Sequence, residues 1–175
     1  MGHIVPFAPR SLRGYPNATE ALDPAETLLL LGVRGWVRDV RRAVNPMLRL
    51  EESMARVGIP AAAASLDMFM RVIARTARRP VELGCPHCPR LTTDEQRLLH
   101  AARLAQGRDS WLAEEALQQG LLSNVGAEFA LGPLQGLGEM FLTVGLHLSP
   151  RPLVDLMDID SAGITPWLPP LPIRH

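Results

Sequence analysis

Asp23-Pro24-Ala25-Glu26-Thr27-Leu28-Leu29-Leu30-Leu31-Gly32-Val33-Arg34-Gly35-Trp36-Val37-Arg38-Asp39-Val40 is the stretch on which the reading of the fold turns. Asp23 supplies an acceptor side chain for an N-cap, Pro24 suits the first helical position, and the acid Glu26 follows in the first turn. A helix therefore starts here. Leu29, Val33, Trp36, Val37, Val40 and Val44 recur at spacings of three and four, which places Arg34, Arg38, Arg41 and Arg42 on the opposite side. Gly32 and Gly35 each cost about 1 kcal/mol relative to alanine inside a helix. Their presence suits the close approach of another helix.

The same signals repeat downstream. Asn45-Pro46 breaks and restarts the chain, giving a short helix to about Val57 that stops at Gly58. After Pro60, Ala61 to Arg78 carries Leu66, Phe69, Met70, Ile73 and Ala77 at helical spacing, with Arg71, Arg75, Arg78 and Arg79 on or near the other side. Thr93-Asp94-Glu95-Gln96 reads as a capping box opening a helix to about Gln106, and a further helix runs from Ser110 to about Gln119. Val125 to Leu146 is apolar but interrupted by Gly132-Pro133, Gly136 and Gly138, so it predicts two helical pieces or one kinked helix. Gly132 and Gly136 form a small-residue pair suited to tight helix contact.

The expected fold class is all-α: a single-domain helical bundle of about six helices with irregular, proline-rich arms. Residues 1–22 form the irregular arm, 23–79 a basic helical half, 80–91 a cysteine-bearing turn, 92–148 a second helical half and 149–175 a proline-rich tail. The tail, with Trp167 and several leucines to bury, reads as a strap across the domain. A chain of 175 residues buries roughly 70% of its unfolded surface, so neither disulfide nor metal is needed for it to fold.

Composition removes several chemistries. All 18 basic residues of the Lys and Arg class are arginines. A phosphate-loop lysine, a Schiff-base lysine and a lysine general base are all excluded. The zero net charge hides a division: Arg34 to Arg79 holds ten arginines against four acids, and Pro80 onward holds six against eleven. Two halves facing each other explain this. The alternative is a nucleic-acid-binding regulator using the arginine faces of 23–44 and 61–78, weakened by the acidic half and by few polar readout residues beside those arginines.

No uninterrupted apolar run at the N-terminus matches a secretory signal. Phe129 to Leu148 carries Gln135, Glu139, His147 and Pro133, which favours a buried helix over a membrane span. The expected location is the cytoplasm, with no membrane partner. No nucleophile elbow, HExxH or strand-borne glycine loop is present, and Asp155, Asp158 and Asp160 lack EF-hand spacing. With the acids expected mostly on solvated faces, a non-enzymatic role follows.

Gly84-Cys85-Pro86-His87-Cys88-Pro89 holds both cysteines of the chain. Three readings compete: a metal site, a redox pair and a rigid turn of reduced thiols. The metal reading leads. The Cys85-Pro86-His87-Cys88 turn resembles one knuckle of a zinc ribbon or rubredoxin-type site, although Pro89 stands where that knuckle usually has glycine. Zinc would be held by Cys85 and Cys88 with His100 and His87 as the best further ligands, or His3 or His147, or by the same two cysteines of a second protomer on a twofold axis. This gives a zinc-binding regulator or adaptor, homodimeric through shared metal and acting on a protein partner.

In the redox reading the same four residues are identical to the active-site tetrapeptide of DsbA-type thiol oxidases, and that resemblance implies a low thiolate pKa and a strong oxidant. It covers four of 175 residues. Arg79 to Gly84 is too short and polar for the buried strand of that family, and the helix starts near Thr93 rather than directly after Cys85.

Overall fold

A computed structural model describes residues 15–151, and the chain is all-α. The expectations for His3, for the rest of residues 1–14 and for the tail with Trp167 lie outside the described residues. A short 3-10 turn at Thr19–Ala21 leads into α1 (Pro24–Arg41), α2 (Met47–Ala55), α3 (Ala62–Thr76), α4 (Thr93–Gln106), α5 (Ser110–Gln118) and α6 (Asn124–Thr143). None of the described helices is long and apolar enough to cross a membrane.

Local chemistry explains the helix starts. The Asp23 carboxylate accepts the Glu26 N–H at 2.7 Å, and the Glu26 carboxylate accepts the Asp23 N–H at 3.0 Å. At α4 the reciprocal box forms one residue earlier than Thr93 and Gln96, between Thr92 and Glu95. A carboxylate can accept several donors at once, and Glu95 uses that capacity beyond the cap, for Arg34 and the Gly84 N–H.

One cluster of buried apolar side chains draws on all six helices, from Tyr15 to Leu148. α3 packs chiefly on α6, and α4 on α5 and α6, so the two helical halves share this core. Leu66 of α3 presses against Gly32 of α1, where a Cβ would collide with its methyl group. The close approach expected from Gly32 is real. At Gly35 a Cβ would stand at ordinary contact distance, 3.9 Å, from the Arg49 side chain.

α6 is a single helix with Pro133 inside it, not two pieces. The carbonyl that loses its helical partner to proline belongs to Phe129, an exposed residue. Of the expected small-residue pair only Gly136 makes a close contact, where a Cβ would stand 3.4 Å from the Ser65 hydroxyl of α3. A Cβ on Gly132 would meet nothing within 4 Å, whereas one on Gly138 would stand 3.0 Å from the Gln106 backbone of α4. Gly138→Ala is expected to destabilise by about 1–3 kcal/mol through this helix contact. Gly132→Ala is expected to stabilise by about 0.5–1 kcal/mol through helix propensity, and urea unfolding of the two variants should give opposite shifts.

Two further expectations fail on α1. Val40 and Val44 are exposed; α1 ends at Arg41, and Ala43 adopts a left-handed conformation (φ 56°) that takes Val44 off the helical stripe. Arg34, placed by periodicity on the solvated side, is only 1% exposed. The segment between α3 and α4 covers a second side of α1 and encloses it.

Candidate functional site

Residues 77–92 cross from α3 to α4 without regular structure, and two buried carboxylates at the start of α4 hold them. Asp94 receives both Arg79 guanidinium nitrogens at 2.7 and 2.6 Å, Arg97 at 2.9 Å and the Glu82 N–H at 2.9 Å. Glu95 receives Arg34 Nε at 2.7 Å and Nη2 at 2.8 Å, with the N–H groups of Gly84 and Thr92 each at 2.9 Å. Burial alone would raise both carboxyls. The hydrogen bonds from Arg79 at Asp94, and from Arg34, Thr92 and Gly84 at Glu95, outweigh it and hold both below the ordinary range.

The cysteine loop is wrapped around one guanidinium. Arg34 Nη1 donates to the Cys88 carbonyl at 2.7 Å and Nη2 to the Arg90 carbonyl at 2.8 Å. A Cβ on Gly84 would lie 3.0 Å from Arg34 Nη2, so only glycine permits this approach without displacement. On its outer side the loop pairs with the N-terminal segment: Thr19 N–H donates to the Pro89 carbonyl at 2.8 Å, and Leu91 N–H to the Asn17 carbonyl at 2.9 Å. The Arg34–Glu95 ion pair joins the basic half of the chain to the acidic half, as does Arg79–Asp94, in accord with the internal explanation of the charge division.

Within this frame Cys85 and Cys88 form a disulfide, their Cα atoms 5.1 Å apart. The Cys88 N–H donates to the Cys85 carbonyl at 3.0 Å, closing the turn. The Cys85 N–H points at Cys88 Sγ, 3.1 Å away. Cys85 is exposed and Cys88 half-buried.

The disulfide overturns the zinc reading, because each sulfur is bonded to the other and neither is a thiolate free to ligate. The remaining proposed ligands do not assemble around them either. His87 is exposed on the same loop, His147 is exposed beyond α6, and His100 is buried on α4. Among the described residues no group of three or more His, Cys, Asp or Glu side chains is placed to hold a metal ion. His100 instead meets the Tyr15 ring edge-on, with centroids 6.0 Å apart at 86°. Burial, aided by the nearby Arg103 charge, pushes its pKa down to about 4.

α4 begins at Thr93, well beyond Cys88. The helix-borne cysteine of the DsbA-type arrangement is therefore not reproduced, and the N–H aimed at sulfur comes from the loop itself. The expectation that acids lie on solvated faces fails for Glu26, Asp39, Asp94 and Glu95, all buried. One clue is present in the sequence: Arg34 follows Leu30 by four residues, the spacing of one helix face.

Two clefts flank the disulfide. One, of ≈ 420 Å³, is lined by Arg38, Arg41 and Arg42 on one wall and by Gly84 to His87 on the other. The second, of ≈ 190 Å³, lies on the Cys88 side against Leu22, Leu30 and Leu31. Comparison with protein-family models, curated proteins and solved structures found no match to this chain.

Proposed function

We propose that this protein is a thiol–disulfide exchange protein whose working group is the Cys85–Cys88 pair. The observation that carries this reading is a disulfide with one exposed cysteine, on a loop whose shape is held by Arg34, Asp94 and Glu95. A structural staple gains little here. The bond closes only four residues, so it removes less chain entropy than the roughly 3 kcal/mol of a 15-residue loop. Hydrogen bonds made by the loop backbone to Arg34 and Glu95 do not depend on the oxidation state of sulfur.

Exchange would begin at Cys85, the more exposed of the two cysteines. An incoming thiolate forms a bond to Cys85 Sγ, the Cys85–Cys88 bond breaks, and its electron pair leaves on Cys88. The Cys85 N–H is placed to hydrogen-bond the departing charge. A second thiolate then attacks the mixed disulfide at the sulfur of the first, releasing Cys85 as thiolate. Two thiols are oxidised to one disulfide, two cysteines are reduced, and the two protons given up by the thiols are available to the cysteine thiolates. In the cytoplasm expected from the sequence, a pair of this kind would cycle, because thiols there are kept reduced.

Equilibration in glutathione redox buffers followed by alkylation and mass spectrometry tests this. The expected result is two adducts in the reduced protein, none in the oxidised protein, and a potential between about −120 and −270 mV. A potential below about −300 mV would mark a structural bond, and cysteines alkylated even in oxidising buffer would leave no working pair.

A further inference from the structure

The exchange reading leaves open what kind of thiol the site accepts, and the cleft beside Cys85 bears on that. Resting on that reading, we infer that this cleft receives a low-molecular-weight thiol carrying carboxylates, bound by Arg41 and Arg42 while its sulfur reaches Cys85.

Three observations meet here. The disulfide lies asymmetrically, with Cys85 lining the arginine cleft and Cys88 lining the smaller apolar one. An approaching thiol in the arginine cleft therefore meets Cys85, the more exposed cysteine, first. Second, the cleft holds no acidic residue in its lining. Arg34 is committed to Glu95, and Arg38 lies 2.9 Å from Asp39. Arg41 and Arg42 are exposed and, among the described residues, join no carboxylate. Two arginines lining an open cleft supply the positive charge that attracts a carboxylate. Third, ≈ 420 Å³ falls within the roughly 300–1,000 Å³ of small-ligand sites. That space suits a compound of a few residues' size.

The two arginines would act on both binding and reaction. They raise the local concentration of an anionic thiol, and their field favours its ionised, attacking form. The chemical step is the same exchange, with the carboxylate-bearing thiolate as the first nucleophile and a second molecule of it completing the reaction.

The test reduces the oxidised full-length protein with mercaptosuccinate, 2-mercaptoethanol and cysteamine. These carry two carboxylates, no further charge and an ammonium group, and rates are expressed per thiolate. In low salt, mercaptosuccinate is expected to react at least about tenfold faster than cysteamine. The ratio should collapse toward one in about 0.5 M salt and in the R41Q/R42Q variant, and should be retained in R41K/R42K. A ratio near one in the unmodified protein, or one that R41Q/R42Q keeps, overturns the inference and leaves exchange at Cys85 standing. A disulfide that none of the three thiols reduces overturns both.

Discussion

Replacing Arg34 by methionine is expected to lower the unfolding free energy by about 3–5 kcal/mol, the usual cost of stranding one member of a buried ion pair. Glu95 would be left with its two backbone donors but no counter-charge, in a site where its side chain is fully enclosed. Arg34 also donates to the carbonyls of Cys88 and Arg90, so the same change frees the loop that presents the disulfide. A domain of ordinary stability has only about 5–15 kcal/mol to lose. The paired variant R34M/E95L should recover only part of the deficit: it removes both charges together, but it leaves the Gly84 and Thr92 N–H groups without their acceptor. Urea unfolding decides the matter. A single-variant loss below about 1 kcal/mol would mean that the pair is not sealed from water.

The second large effect is a pH dependence that belongs to His100. Its folded pKa, about 4, lies below the ordinary value near 6.5. Unfolding therefore takes up a proton in the interval between them. Stability is fully present above about pH 6.5 and falls as pH drops toward 4, by at most about 1.4 kcal/mol per pH unit. The accumulated loss should reach about 2–3 kcal/mol, allowing for some solvent contact at the cleft His100 lines with Leu112 and Gln119. His100→Phe keeps an aromatic ring beside Tyr15 and should flatten this slope. A variant that retains the slope would assign it to another group. Asp94 and Glu95 act in a different window: their folded pKa values are depressed, so their contribution is present above about pH 4 and lost below it.

Much of the helical layout is legible in the sequence because its causes are local. Asp23, Pro24 and Glu26 determine the start of α1 within four residues, and Gly58 and Pro60 separate α2 from α3. Sequence and structure part company where a local signal has two solutions or a distant one decides. Thr92 and Thr93 are both competent caps, and the chain takes the register that makes Glu95 the partner of Thr92. Pro133 reads as a break, yet α6 continues through it, and Phe129, whose carbonyl loses its helical partner, is an exposed residue. Arg34 is the clearest case. Periodicity assigns it to water because a charge alone cannot be buried cheaply, and its partner lies 61 residues away in the sequence.

The cysteine pair divides along the same line. Two sulfurs separated by two residues are equally able to bond each other or to share a metal, and sequence spacing does not distinguish those outcomes. The further ligands distinguish them, and their positions are tertiary facts: His100 is turned into the core against Tyr15, and His87 remains at the surface. By itself, the sequence determined an all-α chain, the approximate limits of its helices and the one loop carrying both thiols. Caps, prolines and apolar spacing act within a few residues, so they needed nothing else. Only the tertiary structure decided which charges are buried, what holds the loop and which wall Cys85 faces, because desolvation and pairing depend on groups that folding alone brings together.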